Sequence, residues 1–321
     1  MDTKFYWFIY QAKYSALILF AGSLAVMTLW FTANGVFSVE TMPGSWSRLE
    51  LIGQALMLIL MPSYFAMGIV FAQRRSLALA WLIRSQTAFD FTHHVESVPG
   101  RNLLTGFVCG FAFSFFNVPG LGIIVSSNSS VMYAIALAQI LLWSLVGLLL
   151  AARFHVARAF YNAGKRVKLD IFEISNLKPF GQAGLTDALL IVVALAITTL
   201  QSFDALFRVD NYTNALLVAL PAIAVLMVTP MYSLHRRMVE RKNEELQQIN
   251  ERVRAAPKDF SVENVNQLEA LLQRRERVKA LSSWPIDMSV ISRLLLYAIL
   301  LPLAWLGTAL VEMALDRLLA P

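Results

Sequence analysis

Four residues in one short stretch, Asp90, His93, His94 and Glu96, are the residue types that bind metals in proteins. Two imidazoles and two carboxylates so close together could in principle share one metal ion. Adjacent histidine side chains point apart on a helix or a strand, however, and the chain has only four histidines, too few for a membrane di-iron site. We therefore predict a solvated loop here, with no metal and no cofactor.

A second stretch, residues 117–122, combines an asparagine, a proline and two glycines in an otherwise apolar region. Proline and glycine stop or unwind helices, and irregular backbone at membrane depth is tolerated only inside protein or beside a water-filled cavity. The simpler interpretation is that a membrane span ends here and an outer loop follows. The residues predicted to line a pore or break the helix are Thr105, Ser114, Asn117, Pro119, Gly120 and Gly122.

Catalytic motifs are missing from the sequence. It contains no G-x-S-x-G nucleophile elbow, no phosphate-binding P-loop and no Glu-x-x-His pair, so we predict that the protein is not an enzyme. Asp187, Arg293 and Glu312 are expected near the ends of spans, where they can reach the membrane interface. Spans without central charges argue against a proton-coupled pump but are compatible with a channel.

The composition is that of an integral membrane protein. Of the 321 residues 57% are hydrophobic and 15% are charged, and the mean hydropathy is +0.59. Soluble domains average about 25% charged residues. The single cysteine, Cys109, excludes an intramolecular disulfide.

Long apolar runs predict an all-α polytopic bundle of about seven transmembrane helices, since lipid leaves no backbone group unpaired. An interfacial helix is predicted near residues 76–91, after the second span. We divide the chain into a bundle with six spans (1–230), a polar hairpin (231–285), and a last span with the C-terminal tail (286–321). The predicted spans are 14–37, 51–72, a third beginning near Asn102, 131–152, 185–200, 214–230 and 288–310.

Basic residues are distributed unevenly between the loops. In this topology 23 of the 27 lysines and arginines lie in loops on one side and three on the other. The positive-inside rule then puts the N-terminus in the cytoplasm and the C-terminus outside. Topology explains the net charge of +6 without a nucleic-acid partner. The cluster Lys165, Arg166 and Lys168 is predicted to contact membrane lipid headgroups.

The polar segment 231–285 predicts a cytosolic antiparallel helical hairpin. Val239, Leu246 and Val253 form a partial heptad seam, which Lys242 interrupts. A break at Pro257 separates the two halves, and Pro285 marks the return to the membrane. Such a coiled-coil-like arm could dock a cytosolic protein or associate with copies of itself.

The second half of the chain resembles a group of bacterial inner-membrane proteins without an assigned function. The resemblance covers about residues 175–312 and rests on residues 177–180, 235–237, 242, 245–246, 284–287, 293–297 and 305–307. It implies a bacterial inner-membrane location, and no functional residues follow from it.

The leading functional hypothesis from the sequence is a homo-oligomeric, channel-like conductance protein. In that hypothesis Pro221 and Pro302 act as hinges that couple the hairpin to the last two spans. Two alternatives remain open. One is a non-conducting scaffold or signalling component whose hairpin docks a cytosolic partner, and the other is a transporter of an apolar or lipid-like substrate.

Overall fold

The structure, a computed structural model, is all-helical over the part of the chain that it describes. The described residues are 15–38, 47–84, 90–117, 129–170, 172, 174–202, 209–255, 262–282, 284 and 292. Two 3-10 turns flank the sixth helix, at Ile174–Leu177 and Thr199–Ser202. The α-helices in these ranges are α1 (Ser15–Ala33), α2 (Arg48–Arg84), α3 (Thr92–Glu96), α4 (Gly100–Asn117), α5 (Ser130–Gly164), α6 (Lys178–Thr198), α7 (Val209–Ala255) and α8 (Val262–Ala280).

Five of these helices are long and apolar enough to cross a membrane: α1, α2, α5, α6 and α7. They correspond to the first, second, fourth, fifth and sixth predicted spans. The third predicted span forms α4, whose first turn contains Arg101 and Asn102 and which is not among the five. The predicted last span and Pro302 lie outside the described residues. Over the described residues, an all-helical structure with several helices long and apolar enough to cross a membrane is therefore confirmed, whereas the count of seven stays a prediction.

Helix α2 is longer than its predicted span. It continues without a break to Arg84, so residues 76–84 extend the spanning helix and do not form a separate interfacial helix. No glycine or proline interrupts the stretch between Ala72 and Arg84. Ser76, Ala80 and Ile83 repeat at helical spacing and are buried, because this last part of α2 still packs against the bundle.

The bundle contains two main hydrophobic cores, stacked along its length. The first core includes Phe31, Leu51, Leu58 and Leu190, which are buried where α1, α2, α5 and α6 meet. The second lies at the end of the bundle from which the polar hairpin projects. Because this hairpin forms an arm, we call this end the arm side. Its buried members come from α2, α3, α5, α6 and α7 and include Leu79, Phe91, Val95, Phe160, Phe180, Leu234 and Met238.

Small residues set the closest helix contacts. A Cβ added to Gly106 would collide with Ala151 and the Gly147 carbonyl oxygen, and one added to Gly110 with the Trp143 carbonyl oxygen. Helices α4 and α5 therefore touch backbone to backbone, as small residues four apart allow. Gly106 and Gly110 therefore serve packing within the chain.

Helix α7 joins the bundle to the hairpin. It is 47 residues long, about 70 Å at 1.5 Å per residue, and passes through Pro221 and Pro230 as one helix. Met231, Leu234 and Met238 are buried in the second core. The hairpin therefore separates from the bundle after Met238, later than the predicted boundary at residue 231.

Candidate functional site

A buried ion pair lies between the two cores. Arg153 of α5 donates from Nε to Oδ1 of Asp187 on α6 at 2.6 Å. Arg153 is 1% exposed and Asp187 2% exposed. Charges buried this deeply are paired and hydrogen-bonded as a rule, because leaving either one alone costs several kcal/mol.

The rest of the guanidinium group is satisfied by α2. Arg153 Nη1 donates to Gln73 Oε1 at 3.2 Å, and Nη2 donates to Ser76 Oγ at 2.7 Å. The Gln73 amide in turn donates to the Val95 carbonyl oxygen at the end of α3. We call Gln73, Ser76, Arg153 and Asp187 the polar layer. It ties three long helices and α3 together at one level of the bundle.

This layer contradicts an expectation from the sequence. Asp187 was expected near the end of a span with access to the interface, and Arg153 was expected to begin an inner segment, helical as far as Gly164, outside the span. In the structure α5 continues for 11 residues past Arg153, and α6 begins nine residues before Asp187. Both side chains are thus enclosed by their own helices and by α2. The helical recurrence of Val156, Ala157 and Phe160 after Arg153 was the signal that the helix continues.

Arg237 attaches α7 to the end of α5 on the arm side. Its Nη1 donates to the carbonyl oxygens of Gly164 and Val167, each at 2.8 Å. These carbonyls lie at or just past the C-terminus of α5, which has no further helical turn to satisfy them. A cation there also interacts favourably with the helix dipole. Arg237 therefore fixes against the bundle the part of α7 where the hairpin leaves it, which we call the root of the hairpin.

Lys242 links the two helices of the hairpin. Its Nζ donates to the carbonyl oxygens of Lys279 and Leu281, at 2.7 and 2.8 Å, at the C-terminal end of α8. The sequence presented Lys242 as a defect in a heptad seam, whereas the structure gives it a capping role. Nearby, Arg274 of α8 pairs with Glu245 of α7 at 2.5 Å. These contacts make α7 and α8 antiparallel.

Apolar and aromatic contacts complete the hairpin. Ile249 of α7 and Val278 of α8 are buried. Beyond α8, the Trp284 ring stacks on the His235 ring with 4.0 Å between centroids and 15° between planes. Trp284 also packs against the second core. The chain that leaves α8 is thereby returned to the root of α7. We call residues 239–255 and 262–280 the arm.

The structure describes three of the residues predicted to line a pore or break the helix, and all three lie on α4. Thr105 is on the exposed side of α4 and donates to the Arg101 carbonyl oxygen at 2.9 Å. Ser114 is buried and donates to the Phe111 carbonyl oxygen at 2.6 Å. Asn117 is the last residue of α4. Pro119, Gly120 and Gly122 lie outside the described residues.

The other predicted positions are mostly at surfaces. Lys165, Arg166 and Lys168 are exposed just past the end of α5, and the Lys165 ammonium lies 4.5 Å from the Tyr161 ring centroid. Pro221 is exposed within α7, with the helix continuing on both sides. The predicted hinge function of Pro221 stays a prediction.

The histidine-containing stretch forms the short helix α3 and its entry. Asp90 Oδ1 accepts hydrogen bonds from the Thr92 hydroxyl at 2.5 Å and the Thr92 backbone N–H at 3.1 Å. These bonds, the hydroxyl first, hold the pKa of Asp90 below its ordinary value. Arg84 lies 2.9 Å from the other carboxylate oxygen. Asp90 thus accepts hydrogen bonds from the first residue of α3, and no group of three metal-ligating side chains occurs in the described ranges.

The chain matches no protein-family model, and no curated protein or solved structure matches it. The resemblance to bacterial inner-membrane proteins therefore stays an expectation from the sequence.

Proposed function

We propose that the protein is an integral membrane scaffold whose arm docks a cytosolic protein partner. The observation that carries the proposal is the attachment of the arm. Arg237 joins the root of α7 to α5, Lys242 joins α7 to α8, and Trp284 returns the chain to the bundle. An arm held at its root and along its length presents a fixed surface, so less ordering entropy is lost on binding.

The surface of the arm supports this function. Val262, Val265 and Leu272 are 78%, 47% and 41% exposed and share one side of α8. Charged side chains of both signs surround them, as in the ion pair between Glu276 and Lys279. Exposed apolar residues with a polar rim are typical of protein-binding surfaces. The excess of basic residues on the arm side favours a cytosolic position for this surface.

Site-specific photo-crosslinking in intact cells tests the proposal. A photoreactive amino acid at Leu272 should give one discrete adduct with another protein. The same group at Gln267, an exposed polar residue of α8, should give much less. A second substitution, Val265→Glu, should then remove most of the Leu272 adduct, because a buried carboxylate opposes an apolar contact.

The mass of the adduct distinguishes the hypotheses. An adduct of twice 35.9 kDa would identify a second copy of the chain and favour the homo-oligomeric channel instead of docking. Planar-bilayer recording of the purified oligomer would then be the decisive measurement. Equal, diffuse labelling from Leu272 and Gln267, unaffected by Val265→Glu, would exclude a docking surface on this side of the arm.

A further inference from the structure

A groove runs along the outer surface between α4 and α5. Its floor is formed by Gly106 and Gly147, where the two helices touch backbone to backbone. Its walls are the side chains of Cys109, Leu150 and Phe154. Because Phe154 and Cys109 are exposed, the groove opens sideways, towards the lipid in a membrane.

The end of the groove on the arm side is polar and basic. Arg158, His155 and Asn102 line it there. His155 Nε2 donates to the His94 carbonyl oxygen at 3.1 Å, and the Asn102 amide lies 3.4 Å from His155 Nδ1. These contacts hold His155 and Asn102 in place beside the exposed guanidinium of Arg158.

The cationic end of the groove at Arg158 is separated along α5 from its apolar part at Gly147. From Gly147 to Arg158 the groove follows 11 residues of α5, about 16 Å of helix. A cationic end beside an apolar furrow of this length matches a molecule with one anionic head and a long hydrocarbon chain. A water-soluble anion would use only the cationic end and would leave the furrow empty.

We propose that this groove is a binding site for an anionic phospholipid. The phosphate lies against Arg158 and the Asn102 amide, and one acyl chain follows the furrow past Gly147 to Cys109. Basic pockets between membrane helices bind anionic headgroups in this way, at about 1 kcal/mol for each cation. Small residues on the floor let the chain approach the backbone closely. The site is distinct from the exposed cluster Lys165, Arg166 and Lys168.

Native mass spectrometry of the full-length protein in detergent tests the proposal. The protein is titrated with phosphatidylglycerol and with phosphatidylcholine of the same acyl chains. We expect the first phosphatidylglycerol to bind several-fold more tightly. Arg158→Gln should weaken that binding about fivefold, the factor that corresponds to one lost cation contact. Arg277→Gln removes the same charge on α8, outside the groove, and should leave that binding unchanged.

A second variant tests the furrow separately from the charge. Cys109→Trp fills the apolar end and should also weaken the first phosphatidylglycerol, with Arg158 still present. Size-exclusion chromatography checks that each variant remains folded. Equal affinity for the two lipids in the unaltered protein would overturn the proposal. So would an equal effect of Arg158→Gln and Arg277→Gln, or a Cys109→Trp protein that binds normally.

Discussion

At the scale of single residues, the Arg153–Asp187 pair decides how the bundle is held together. Arg153 has one acidic partner at 2.6 Å and two neutral acceptors on α2. Removing either charge leaves the other one buried without an opposite charge, in a site that is at most 2% exposed. Truncating one member of such a pair typically costs about 3–5 kcal/mol. The pair therefore makes the position of α5 against α2 and α6 specific.

The burial of both charges predicts the result of a double-mutant cycle. Arg153→Met and Asp187→Leu should each lower the free energy of unfolding by about 3–5 kcal/mol. The double variant should lose only about 1–3 kcal/mol, because it leaves no unpaired charge but still leaves Gln73 and Ser76 with fewer partners. Unfolding by sodium dodecyl sulfate in mixed micelles measures these free energies.

The exposed cation Lys168 provides the control for that cycle. Lys168→Gln should change the unfolding free energy by less than about 0.5 kcal/mol, as surface substitutions usually do. Additive losses in the double variant would contradict the predicted coupling between Arg153 and Asp187.

At the scale of secondary-structure elements, the hairpin depends on Lys242 of α7, which caps the C-terminal end of α8. Lys242→Met removes both bonds to the Lys279 and Leu281 carbonyl oxygens. Loss of a charged cap at a partly exposed helix end costs about 1 kcal/mol. Amide hydrogen exchange in residues 278–281 should accordingly become about fivefold faster, measured by mass spectrometry on the full-length protein.

Arg236→Gln is the matched variant on the same helix. It breaks an exposed pair with Glu240 at 3.0 Å, worth only about 0.3–0.5 kcal/mol. Exchange in residues 278–281 should stay as in the unaltered protein. If Lys242→Met also left this segment unchanged, the capping function of Lys242 would be wrong.

The helices and the hairpin could be expected from local pattern, whereas the polar layer could not. Apolar runs and the Met231–Trp284 composition change are properties of consecutive residues, so they appear in the sequence. The partners Gln73 and Arg153 are 80 residues apart, and no local pattern relates them. An arginine after an apolar run also marks the end of a span by the positive-inside rule. That rule put Arg153 at a solvated membrane interface, whereas the structure buries it in a pair with Asp187.

At the scale of the whole molecule, Arg237 is the point where the arm and the bundle meet. Arg237→Met removes two charge-assisted hydrogen bonds to the end of α5, on the order of 2 kcal/mol together. That is enough to populate other orientations of the arm that are rare in the unaltered protein. The buried residues Leu234 and Met238 should keep α7 helical in the variant.

Spin-label distances between the arm and the bundle measure this change. Cysteines replace exposed Leu29 of α1 and exposed Gln267 of α8, with Cys109 changed to serine. The unaltered Arg237 protein should give one narrow distance distribution, and Arg237→Met a broader one. Arg236→Gln, one residue away and facing solvent, should keep it narrow. A narrow distribution in Arg237→Met would mean that the continuous α7 helix alone fixes the arm, and the rigid docking surface would then not depend on the contact with α5.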